Sequence, residues 1–169
     1  MKVSDLSAYP SYFEHYFNLI GNNSLEQILE KRMFNALDFY QEIPAHKWTY
    51  SYEEGKWSMQ KVLQHVLDAE AIFLYRAISV ARGEKQSLPG WDENEYANNI
   101  QESSIDINRL FRALGHQMNL TKYYFSTFSP EEMERIGMVN SNETSVGAMG
   151  FAIAGHEIHH RNIIKERYF

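Results

Sequence analysis

The sequence predicts an all-α fold, a four-helix bundle preceded by an aromatic arm. Four long stretches repeat apolar residues at three- and four-residue spacing, the period of a helix that buries one face. No stretch alternates polar and apolar residues with the period of two that marks a strand, and there is no internal repeat or low-complexity segment. A length of 169 residues with 44% hydrophobic and 14% aromatic content suits one domain, 1–169, with a sizeable core.

Residues 1–23 form the arm, with Tyr9, Tyr12, Phe13, Tyr16, Phe17, Leu19 and Ile20 ahead of Gly21-Asn22-Asn23. It is expected to be partly helical after Pro10 and to pack across the body of the domain. His15 within it reads as a polar residue of an amphipathic arm. Ser24 to Gln27 is a capping box, in which the serine caps the first turn and Gln27 reaches back. Leu25, Ile28, Leu29, Met33, Ala36, Leu37 and Tyr40 then line one face, and Ile43-Pro44 ends the helix. A connection over residues 44–57 carries Trp48, Tyr50, Tyr52 and Trp57, with His46 as a solvent-facing loop residue.

Ser58 caps a second helix that is apolar over a wide arc from Val62 to Val80 and stops at Gly83. It contains His65. Asp68 and Glu70 read as solvated charge, with Asp68 one turn after His65 and so placed to orient it. Residues 83–99 form a long polar loop around Pro89-Gly90, in which Trp91 is either a pocket wall or a plug over the bundle end. Ser103 to Asp106 opens a third helix, with Ile107, Leu110, Phe111, Leu114, Met118 and Leu120 on its buried side and His116 beside that stripe as a structural or exposed residue. Ser129-Pro130-Glu131-Glu132 starts a short helical turn that Gly137 ends, and residues 140–143 make a turn. The last helix begins at Thr144 or Ser145 and runs to Tyr168, through Gly147, Gly150 and Gly155, where small residues permit close helix contact.

A net charge of −6 without any run of Lys or Arg argues against a nucleic-acid partner. No apolar run reaches the roughly 18 residues of a membrane span, and Met1 to Pro10 lacks the basic and apolar regions of a secretory leader, so a cytoplasmic protein without a membrane partner is expected. The absence of cysteine excludes disulfides, thiolate zinc sites and a cysteine nucleophile, which leaves nitrogen and oxygen ligands for any metal.

Three of the seven histidines fall within Gly155-His156-Glu157-Ile158-His159-His160. On a helix, His156 and His160 share a face at i and i+4, and His159 points elsewhere. Neutral imidazole suits zinc, nickel, copper or iron(II), and a catalytic zinc site takes three protein ligands with a fourth position open. The five residues also fit H-E-x-x-H, the pattern in which two histidines bind zinc and the glutamate activates water. Downstream of them only Glu166 is acidic, so the third ligand is expected from an earlier helix, and His65 supplies it. Glu157 is the candidate general base, although it lies about 100° around the helix from the histidine face. The opposing reading makes the three histidines a polar helix end without metal.

Several segments together resemble the DinB-like (DinB/YfiT) superfamily of metal-binding four-helix bundles. They are Gly55-Lys56-Trp57-Ser58 leading into Val62 to Glu70, the loop Leu88 to Glu93, and the closing Ala154 to His160. The resemblance implies that His65, His156 and His160 surround a divalent ion, zinc or nickel, in a homodimer. It also implies a small-molecule substrate. Characterised members include transferases and an isomerase that use low-molecular-weight thiols, and many others are labelled metal-dependent hydrolases. The expected function is therefore a metal-dependent enzyme that activates a thiol or water, either a thiol-dependent S-transferase or a hydrolase. The alternative is a non-catalytic metal-binding or stress-response module.

Overall fold

A computed structural model describes residues 1–169. Its long helices are α2 (Leu25–Gln41), α3 (Met59–Ala81), α5 (Ile107–Thr127) and α7 (Val146–Arg167), with the shorter α1 (Glu14–Asn18), α4 (Glu93–Asn99) and α6 (Pro130–Glu134) between them. The cap signals explain where the long helices start. Ser24, Ser58, Asp106 and Ser145 each accept a hydrogen bond from a backbone N–H of the first turn, and Gln27 closes the box at Ser24. No helix is long and apolar enough to cross a membrane.

α2 packs on α5 and α7, and α3 packs on the same two helices. The order around the bundle is therefore α2, α5, α3, α7, with α2 and α3 on a diagonal. A simple up-and-down arrangement would have put those consecutive helices side by side. The connections over residues 42–58 and 128–145, which join α2 to α3 and α5 to α7, are long enough to cross the bundle ends and permit the exchange. Because α3 and α7 are neighbours, His65 and the last helix share an interface.

Four expectations about the elements are corrected. Ile136–Val139 and Asn142–Ser145 form an antiparallel hairpin, β1 and β2, where no strand was expected. Asn140 and Ser141 turn it with φ of 48° and 62°, both left-handed as a tight primed turn requires. Gly137 is part of β1, its missing side chain leaving room for Val80, and does not end α6. The polar loop after Gly83 contains α4, capped by Asp92. Leu120 faces solvent on α5.

The core is divided by a polar layer. One apolar cluster includes Phe13, Leu25, Phe73, Met149 and Phe151, and a second includes Tyr40, Leu63, Val66, Leu114 and Ile164. Between them, Arg32 pairs with Glu70, Thr121 Oγ1 donates to the same carboxylate at 2.7 Å, and Arg161 pairs with Glu157. Glu70 is thus 3% exposed and ion-paired, which corrects its reading as solvated charge. A buried carboxylate is tolerated when charge and hydrogen bonds replace its water, as Arg32 and Thr121 do here.

Candidate metal centre

α3 contributes His65 and α7 contributes His156 and His160, one turn apart, all in the polar layer region between the two apolar clusters. His65 and His156 are buried and His160 is half-buried. His156 Nε2 lies 3.1 Å from His65 Nε2 and 3.2 Å from His160 Nε2, and one ligand atom from each of the three residues falls within 4.8 Å of the others.

This donor set fits a metal. Two imidazole nitrogens 3.1–3.2 Å apart, each about 2.05 Å from one ion, subtend roughly 100° there, between octahedral and tetrahedral angles. Hydrogen bonding alone accounts for the arrangement less well, since a single His156 nitrogen faces two others and carries either one proton or one lone pair. Burial also favours the ligand form. It pushes His65 down to about 4 and holds His156 and His160 well below the ordinary imidazole value, with the neighbouring imidazoles adding to the effect. Neutral rings with free lone pairs are the form a divalent ion binds.

Aromatic rings enclose the trio. Trp91 stacks on His65 with ring centroids 5.6 Å apart and planes 20° apart, and Trp57 approaches the same imidazole at 5.1 Å. Tyr16 of the arm lies 5.6 Å from His156, and Phe73 lies 6.3 Å from it. Trp91 is therefore a wall beside the histidines. Its loop is fixed from two sides, because Arg76 Nη2 donates to the Pro89 carbonyl at 2.6 Å and Leu88 exchanges backbone hydrogen bonds with Met138 and Asn140 of the hairpin. The hairpin that the sequence did not disclose thus helps position the wall.

The remaining candidates fall elsewhere. Glu157 Oε1 accepts from Arg161 Nε at 2.9 Å and from the Tyr40 hydroxyl at 3.3 Å, in the polar layer, and burial raises its pKa against the pull of Arg161. Asp68 accepts from Gln64 Nε2 at 2.8 Å, and the structure shows no bond from it to His65. Glu166, His46 and His116 are exposed. His159 turns away from the trio towards His15, a pairing without any periodic signal in the sequence. A cavity of ≈570 Å³ between the arm, α2, α5 and α6 is lined by Leu25, Leu29, Phe125 and Met133 and contains none of these histidines.

The fold is shared with a solved structure, YfiT from Bacillus subtilis, described as a probable metal-dependent hydrolase with an unusual four-helix bundle topology. The two superpose with a TM-score of 0.74 at 16% identity, covering 84% of this chain and 82% of that one. No curated protein matches the chain. Residues 29–164 match the family model of the DinB superfamily, a span that holds His65, His156 and His160 together with most of the four long helices. The chain belongs to the DinB superfamily.

Proposed function

We propose that this protein is a metal-dependent enzyme in which His65, His156 and His160 hold one divalent ion, zinc or nickel, and that its substrate is a small molecule. The observation that carries the reading is the convergence of three imidazoles from two helices, with one ligand atom of each within 4.8 Å of the others. YfiT's description as a probable metal-dependent hydrolase supports the metal dependence by likeness of fold. A bound divalent ion lowers the pKa of a thiol or water at its open position and makes it nucleophilic near neutral pH.

Between thiol and water, the surroundings favour a thiol. Activating water for hydrolysis calls for a general base, and the two acidic candidates are engaged, Glu157 by Arg161 and Tyr40 and Asp68 by Gln64. A thiol, whose ordinary pKa is about 8.5, needs only a modest downward shift to ionise. A thiol-dependent S-transfer is thus the preferred reaction, hydrolysis the next, and a cytoplasmic homodimer the proposed setting.

One observation favours a non-catalytic metal-binding module instead: Trp57 and Trp91 both pack against His65, which is only 2% exposed. Elemental analysis of the purified protein beside His65→Ala, followed by thiol titration of cobalt-substituted protein, separates the readings. About one ion per chain, lost in the variant and spectrally perturbed by bacillithiol or a model thiol, is the expected result. An ion indifferent to thiol supports hydrolysis or the module, and absence of metal overturns the site.

A further inference from the structure

Two tryptophans pack against buried His65, whereas His160 is half-buried, so the more accessible edge of the trio is the one at His160. That edge carries two more imidazoles. His15 of α1, which is exposed, places its Nε2 2.9 Å from Nδ1 of half-buried His159 of α7. The rings then continue inward, with centroids 4.8 Å apart from His15 to His159, 5.0 Å from His159 to His160 and 4.5 Å from His160 to His156.

The approach of α1 to α7 depends on Gly155. A Cβ at that position would stand 2.5 Å from the Tyr16 carbonyl oxygen and 2.6 Å from the Tyr16 Cβ. With hydrogen in its place, residues 15 and 16 settle against the last helix, and two histidines 144 residues apart in the chain come into contact.

We propose that His15 and His159 form a second, weaker, solvent-facing site for a divalent transition-metal ion, through which the ion passes to the three buried histidines. Two nitrogens 2.9 Å apart, each about 2.05 Å from an ion, subtend roughly 90°, the angle of adjacent positions in square-planar or octahedral nickel(II) and copper(II) rather than of tetrahedral zinc. Water completes the coordination. Without metal the two nitrogens share one proton in a hydrogen bond; on binding, that proton moves to the other nitrogen of its own ring, so both lone pairs face the ion and no net proton is lost. The passage rests on the proposed three-histidine site, whereas the pair's own affinity does not.

Calorimetric titration of the metal-free full chain with nickel(II) tests both parts, using wild type, His15→Asn and His65→Ala. Wild type is expected to show two binding steps. His15→Asn changes an exposed side chain and is expected to keep the tight step and weaken the second by roughly 10- to 100-fold, the gain from having two ligands on one scaffold. His65→Ala is expected to lose the tight step and keep the weak one. Stopped-flow loading of the tight step should be slower in His15→Asn. A single step in wild type, or a second step unchanged in His15→Asn, overturns the surface site, and an unchanged loading rate overturns the passage. A tight step that survives His65→Ala brings down the three-histidine reading alone.

Discussion

The Arg32 guanidinium and the Glu70 carboxylate meet side by side in the centre of the bundle, Nη1 to Oε2 at 2.8 Å and Nη2 to Oε1 at 2.6 Å, with neither side chain more than 2% exposed. Glu70→Gln removes the negative charge and leaves Arg32 buried without an ionised partner. The expected cost is about 3–5 kcal/mol in chemical denaturation. Replacing both, as Arg32→Met with Glu70→Leu, is expected to cost less than the single change, because no charge is then stranded. A single-variant loss below about 1 kcal/mol, the range of an exposed pair, contradicts the burial argument.

Acid should destabilise the metal-free protein well above the carboxylate range. His65 has an ordinary value of 6.5 and is pushed down to about 4 in the fold, and His156 and His160 move in the same direction. Below 6.5 the unfolded chain therefore binds protons that the folded chain refuses. The stabilising contribution is complete above that pH and is lost as pH falls towards 4, on the order of 3 kcal/mol from His65 alone. Urea unfolding of metal-free protein between pH 7.5 and 4.5 checks this, and a flat profile across that window contradicts it.

Gly155→Ala sets two effects against each other. Alanine gains up to about 1 kcal/mol over glycine inside a helix. Against this stands a methyl group 2.5 Å from the Tyr16 carbonyl oxygen, a backbone atom that cannot rotate aside. Overpacking of this kind costs about 1–3 kcal/mol, so the net change is expected to be destabilising. Faster limited proteolysis within the first 23 residues would show the arm lifting away.

Glu157→Gln tests the role of the one acidic residue between the site histidines in sequence. Its contacts are to Arg161 and Tyr40. The variant is expected to lose stability, about 3 kcal/mol for a broken buried pair, while retaining its metal content. Loss of turnover at unchanged stability would instead make Glu157 the catalytic base.

What the sequence discloses here is what is local. Ser24, Ser58 and Ser145 mark their helices because a cap is settled within four residues, and the i, i+4 spacing alone brings His156 and His160 onto one face. The third histidine was reachable only by counting ligands and by resemblance. Glu70 looked solvated because its partner, Arg32, is 38 residues away, on a helix that sits diagonally opposite. The hairpin escaped because its strands are four residues each, too short for alternation to register. His15 reads as a polar residue of the arm because nothing near it in sequence points to residue 159.

Ninety-one residues separate His65 from His156. An ion held by both ties the chain into a loop of that length, and loop closure on this scale costs an open chain about 4 kcal/mol in entropy. In the unfolded polypeptide His156, His159 and His160 remain close neighbours in sequence, but His65 joins them only against that entropy, so His65 is what makes an ion discriminate between the ordered and open forms. An ion bound by the proposed three-histidine site would thus act as a reversible crosslink, and its removal is expected to leave the chain more open to proteolysis.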